Sequence, residues 1–143
     1  MESSVNQNNQ NTLNELEYNF ITKEIIGCAM EVHKELGPGL LESVYEYCLI
    51  KLLEEKNLKV ESQVKLPIYF KGEKLDKFFM IDLLVCDRVI IEIKSVDKVL
   101  PVHEAQLVTY IKLSGKKLGL LINFNEKYVK DGIRRRIYGD LEN

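Results

Sequence analysis

Three charged side chains interrupt the most apolar part of this 143-residue chain, and their types and spacing suit metal-assisted hydrolysis. In residues 80–94, MIDLLVCDRVIIEIK, Asp82 sits between Ile81 and Leu83, while Glu92 and Lys94 flank Ile93. A strand points residues i and i+2 the same way, so Glu92 and Lys94 share a face, as Asp82 is expected to do with Met80 and Leu84. Charges on the face of an apolar strand are costly unless something there uses them. A tight turn at Cys86-Asp87-Arg88 predicts an antiparallel hairpin. That hairpin would bring the Asp82 carboxylate near Glu92, with the Lys94 ammonium beside both. Two hard oxygen ligands and a nearby ammonium suit a magnesium ion that activates water against a phosphodiester.

The surrounding sequence predicts the elements that must hold these groups. Residues 1–11 are rich in Ser, Asn and Gln, have almost nothing to bury, and are expected to be a disordered tail before a single domain over 12–143. Thr12-Leu13-Asn14-Glu15 fits a capping box at the start of a first helix. Phe20, Ile21, Ile25, Cys28, Ala29, Val32 and Leu36 then follow helical spacing up to the Gly37-Pro38-Gly39 break. A second helix is expected over about 40–57, with Leu41, Val44, Tyr45, Cys48, Leu49, Leu52 and Leu53 inward. Val60, Val64, Leu66 and Ile68 alternate as a strand, and Lys71-Gly72-Glu73-Lys74 reads as a hairpin turn. Strands over 78–86 and 89–95, a helix over 102–113 and a buried strand over 118–124 follow. The segment 126–138 is expected to be irregular or helical.

Asp82, followed by Glu92-Ile93-Lys94, resembles the signature of the PD-(D/E)xK nuclease superfamily, with Met80-Ile81 where the name-giving proline would precede the aspartate. Gln106-Leu107-Val108-Thr109-Tyr110 resembles the Q-xxx-Y element of its RecB-like and Cas4-like branch. Gly39-Leu40-Leu41-Glu42-Ser43-Val44-Tyr45 is similar to the name-giving pattern of the small bacterial GxxExxY proteins in the same superfamily. The resemblance spans about 21–138. It implies a single-domain α/β fold with an αβββαβ core, a mixed sheet flanked by helices. It further implies a Mg²⁺- or Mn²⁺-dependent nuclease hydrolysing DNA, with RNA as the other candidate substrate. Asp82 and Glu92, with Glu42 and the Ile93 carbonyl, would hold the metal, Glu46 being the other choice for the third carboxylate. Lys94 would orient the water and offset transition-state charge. Gln106 would align Lys94 or the water, and Tyr110 would reach toward the nucleic-acid strand. No base-reading motif is visible, so cleavage without sequence specificity is expected.

Composition sets the remaining bounds. The formal net charge is −2, which is not the basic footprint of a phosphate-binding protein, but it is unevenly spread. Residues 1–87 carry 9 Lys/Arg against 15 Asp/Glu, net −6, and residues 88–143 carry 11 against 7, net +4. Lys98 and the triplet Arg134-Arg135-Arg136 in that basic half are the candidate phosphate contacts. Cys28, Cys48 and Cys86 are odd in number and lack metal-ligand spacing, so they read as reduced core residues of a cytoplasmic protein. No apolar run approaches the roughly 18 residues that span a membrane. His33 and His103 read as structural, His103 being the better functional candidate because it shares a face with Gln106. Tyr45 reads as packing, and the Gly37-Pro38-Gly39 turn as the device that sets the interhelical angle and so places Glu42. Two other functions fit the same residues: a catalytically silent nuclease-fold module that binds nucleic acid or protein, and a regulatory protein that forms homodimers through its first two helices.

Overall fold

The computed structural model describes residues 2–141, with side chains from Asn14 onward. Helix α1 (Glu2–Leu36) and helix α2 (Glu42–Glu55) come first. Strands β1 (Val60–Phe70), β2 (Glu73–Val85) and β3 (Val89–Lys94) follow, then helix α3 (Pro101–Ser114) and strand β4 (Leu118–Asn123). A 3₁₀ turn (Val129–Gly132) leads into strand β5 (Ile133–Ile137). Helix α1 runs through Thr12–Glu15 without a boundary there. The polar stretch expected to be a tail falls within the backbone of α1, and the side chains of residues 2–13 lie outside the described set.

The sheet has the order β1-β2-β3-β4-β5 and is mixed: β3 and β4 are parallel, the other neighbours antiparallel. A parallel neighbour cannot be reached by a tight turn, and α3 supplies the crossover. The element order is that of the expected αβββαβ core with one helix added before it and one strand after it. The added strand is β5, which replaces the irregular or helical segment expected over 126–138. The run Ile133-Arg134-Arg135-Arg136-Ile137 has its two isoleucines four apart, which reads equally as one helical turn. Pairing with the fully buried β4 decides for the strand.

The strands bury both faces. Val89, Ile91 and Ile93 join Ile25, Cys28, Tyr45 and Leu49 in a core beneath α1 and α2. Ile90 and Leu121 join Leu107, Tyr110 and Ile111 in a second core beneath α3. Such two-sided burial explains why VIIEIK and LGLLIN read as continuous apolar runs rather than alternating ones. Gly119 lets α3 lie close, since a Cβ there would stand 2.7 Å from Leu107 Cδ1.

The long β1–β2 hairpin does not keep one pleat along its length. Leu83 packs under α1 and α2 while Ile81, two residues earlier, packs under α3. On the partner strand Val60 belongs to the first core, and Val64 and Leu66 to the second. Strict alternation forbids both changes. The break lies at Gln63 and Asp82, the one position where the otherwise constant pairing from Val60↔Val85 to Pro67↔Phe78 is missing. Gln63 has a left-handed φ of 52° there. Asp82 therefore sits where the strand switches faces, rather than on a regular face with Met80 and Leu84.

Candidate functional site

At the same position the β2–β3 ladder opens. Pairing runs Val85↔Val89, Leu84↔Ile90, Leu83↔Ile91 and stops. Two side chains continue it: the Asp82 N–H donates to Glu92 Oε1 (3.2 Å), and the Ile93 N–H donates to Asp82 Oδ2 (2.8 Å). Each carboxylate thus replaces a main-chain acceptor of its own strand and satisfies a donor on the other. This holds two acids together at the mouth of an opening sheet.

Too little positive charge surrounds them. Glu92 is 5% exposed. Burial and the neighbouring Asp82 carboxylate push its pKa from 4.5 up to about 8, against the pull of the Asp82 N–H and the Lys94 ammonium. Asp82 is raised as well, by burial first, with the Ile93 N–H and Lys94 acting to lower it. Lys94 follows Glu92 on the same face and acts on both acids through its field. Among the described residues it makes no direct ion pair with either.

Helix α2 brings two more acids. Glu42, its first residue, accepts the Ser95 N–H just beyond Lys94 (3.3 Å). Glu46, one turn later, accepts both its bonds from Gln63 Nε2 (2.9 and 3.2 Å), and the Gln63 amide also weakly opposes the upward shift of Asp82. Burial raises the Glu46 pKa, and Asp82 and Glu42 raise it further. The turn before α2 is fixed by Tyr45, whose hydroxyl donates to the Gly37 carbonyl (2.6 Å) and accepts the Leu40 N–H (3.1 Å). The Tyr45 ring stacks on Phe124 at 4.5 Å. Gly37 and Gly39 both take left-handed φ in that turn. Ser95 Oγ closes the contact by donating to the Leu40 carbonyl (2.6 Å). The glycines, Tyr45 and Ser95 thus deliver Glu42 to the end of β3.

The other expected residues are placed less centrally. Gln106 is exposed and, among the described residues, makes no hydrogen bond to Asp82, Glu92 or Lys94. Tyr110 is buried, tilted against Phe79 at 5.2 Å, with its pKa raised by burial and then by Glu92 and Asp82. Its ring packs inward, close enough to both acids for their charges to raise its pKa. Lys98 is exposed in the loop after β3. His103 caps its own helix, Nδ1 accepting the Leu100 N–H, and His33 Nε2 pairs with the Glu126 carbonyl (2.7 Å). The strand divides the arginine triplet. Arg134 and Arg136 pair with Glu104, and Arg135 binds Asn19 Oδ1 on α1.

Two residues escaped the sequence reading. Gln63 lies in an alternating strand and carries no motif; only its backbone conformation singles it out. Asn123 ends β4 fully buried, its Oδ1 accepting the Val96 N–H and its Nδ2 donating to the Val96 carbonyl. It pins the chain just past Lys94. A buried asparagine closing an apolar run is the one signal that pointed to it.

The donor chemistry of the cluster, carboxylate oxygens only, is that of a magnesium or manganese site. Burial first, and then the Asp82 carboxylate, drives Glu92 to about 8, and a bound cation would offset both by favouring the charged form. The ligand set is not preassembled: among the described residues no three acidic, histidine or cysteine side chains already stand in ligating arrangement.

A mixed sheet with helices on both faces, opening at two acids and a lysine, is the architecture of a nuclease-like α/β domain. The sequence pattern of the PD-(D/E)XK nuclease superfamily matches residues 19–136, and the chain belongs to that superfamily. Among solved structures, the crystal structure of SSO0001 is similar at a TM-score of 0.47 and 23% identity, over 70% of this chain. That match covers 52% of the other protein, so the chain spans about half its length. No functionally curated protein matches. The three cysteines are free, and among the described residues no helix is long and apolar enough to cross a membrane.

Proposed function

We propose that the chain is a divalent-metal-dependent nuclease that hydrolyses DNA without sequence specificity. The observation that carries this reading is the reciprocal pair of bonds, Asp82 N–H to the Glu92 carboxylate and Ile93 N–H to the Asp82 carboxylate, which holds two acids at one point despite their repulsion. Asp82 and Glu92 would hold Mg²⁺ or Mn²⁺, with Glu42 from α2 and the Ile93 carbonyl completing the set. When bound, the ion lowers the pKa of a water and polarises the phosphoryl oxygen. Lys94 positions that water and offsets charge growing on the phosphorane oxygens. Gln63 keeps Glu46 in place. Glu92 binds the ion only after losing its proton, so loading strengthens as pH rises toward about 8. The turn that Gly39 bends, that Tyr45 clamps at Gly37 and Leu40, and that Glu42 and Leu40 tie to Ser95 supports membership of the GxxExxY group, since the three motif residues act there together. A Q-xxx-Y role for Gln106 requires its side chain to turn inward on binding.

A second reading, a nuclease fold that binds without cutting, draws on the unassembled ligand set and the exposed Gln106. A cleavage assay on linear and circular, single- and double-stranded DNA and on RNA, with Mg²⁺, Mn²⁺ or EDTA, separates the two. Cutting of DNA that EDTA abolishes is the expected result. Inert protein with every substrate and ion, in preparations that still bind nucleic acid, would sink the enzymatic reading.

A further inference from the structure

The basic half of the chain divides into cations that are already answered and cations that are not. Arg134 and Arg136 are held by Glu104, Arg135 by Asn19, Lys116 by Asp87 and Lys117 by the Asp140 carbonyl. Lys127 and Lys130, on the segment after β4, have no ion pair among the described residues, and neither does Lys34 near the end of α1. These three lysines line one groove of about 750 Å³, facing a single carboxylate, Glu31. Its floor carries exposed apolar surface: Tyr128 is 57% and Met30 49% exposed, and Pro38 is exposed beside them. The Lys127 ammonium stands 5.6 Å from the centre of the Tyr128 ring.

We infer that this groove binds a single-stranded segment of nucleic acid, with Tyr128 stacking on a base and Lys34, Lys127 and Lys130 on successive phosphates. Unanswered cations beside an exposed aromatic ring are the pairing that takes a polyanion with flat bases. A duplex would present its phosphates but bury the base faces that Tyr128 needs. The floor is firm: His33 ties α1 to the Glu126 carbonyl, and Gly132 packs so tightly that a Cβ would stand 2.4 Å from the Asn123 carbonyl oxygen. The groove is joined to the acids through one turn. Gly37 and Pro38 form its wall, and the same turn, clamped by Tyr45 and Ser95, delivers Glu42 on its far side. A strand leaving the acids would cross this turn into the groove. The inference deepens the nuclease reading and rests on it for the class of ligand.

The test is fluorescence anisotropy with a labelled oligothymidylate and a blunt duplex over a salt series. It is run in EDTA, and again in Mg²⁺ on a Lys94→Ala background. Lys34→Ala, Lys127→Ala and Lys130→Ala together should weaken single-strand binding and lower the log–log salt slope by about 2, at roughly 0.7 per lost contact. Tyr128→Ala should weaken it by about 5- to 150-fold with the slope unchanged, the signature of lost stacking. The substituted side chains are exposed, and circular dichroism melts check that each variant folds. Slope and affinity unmoved by the lysine triple, a parent that binds no single strand in either buffer, or a loss confined to duplex would each overturn the inference. The two readings separate cleanly. A parent that binds with these signatures yet cuts nothing defeats the nuclease reading and keeps the groove. A parent whose cutting and binding ignore the lysine triple keeps the nuclease and defeats the groove.

Discussion

Two charge clusters, one joining β5 to α3 and the other where β2 meets β3, are built on opposite principles. At the β5 corner, Arg134 and Arg136 meet Glu104 at a partly exposed surface, and opposite charges cancel where water already screens them. At the opening of β2 and β3, Asp82, Glu92, Glu46 and Glu42 gather like charges, two of them substantially buried, around one ammonium. The first arrangement needs nothing more. The second is under electrostatic load, tolerable because main-chain N–H groups and the Gln63 amide share the charge and because Glu92 keeps its proton near neutrality. Self-sufficiency marks the structural cluster, and deficit marks the candidate site.

The largest effect that would sharpen this contrast is on turnover. Lys94→Ala should lower DNA cleavage by about a hundred- to a thousandfold while Mg²⁺ binding by calorimetry persists, because the amine serves water and transition state. Equal rates for the variant and the parent would take the lysine out of the chemistry.

A pH titration tests the load itself. The folded chain holds the Glu92 proton up to about 8, the unfolded chain only to near 4.5, so the folded state binds more protons in between. The contribution of Glu92 to metal-free stability is therefore full below about 4.5 and falls as pH rises toward 8. Denaturant midpoints should decline across that window in the parent, and Glu92→Gln should flatten the decline while removing metal binding. A parent whose midpoint rises steadily from pH 5 to 8 would mean that Glu92 carries no raised pKa.

Gln63 offers an intermediate effect with two opposed readouts. A non-glycine residue in the left-handed region costs about 1–2 kcal/mol, so Gln63→Gly should stabilise the metal-free fold by up to about that amount. The same change frees Glu46 from its amide and should lower cleavage. Stability gained with full activity would make Gln63 a fold feature alone. The smallest effect belongs to the β5 corner. A double-mutant cycle on Arg136 and Glu104 should return a coupling of at most about 1 kcal/mol, and a much larger value would erase the contrast between the two clusters.

The hairpin, the crossover helix and the pairing of Asp82 with Glu92 were legible because they rest on local patterns: a turn, an apolar run, a spacing across one strand pair. The opening of the sheet was not, because alternation counts residues and cannot see where a backbone switches faces. Gln63 marks the switch, yet in sequence it is one polar residue among alternating ones. The division of the arginine triplet was hidden for a related reason. Three consecutive cations look like one patch, but a strand sends Arg135 to one side and Arg134 and Arg136 to the other. Tyr110 kept its i, i+4 relation to Gln106, but tertiary packing against Phe79 took its ring inward.

The switch at Gln63 and Asp82 also makes the hairpin modular. Because inside and outside are reassigned there, the distal arm, with Tyr69, Phe70 and Phe78 in solvent, answers to α3 and not to the core beneath α1 and α2. Its length is uncoupled from the register that holds the acids. Removing or adding whole cross-strand pairs beyond Leu66 and Phe79 would change how far the arm reaches without shifting Asp82 against Glu92, so relatives of this fold can vary their reach while the chemistry stays put.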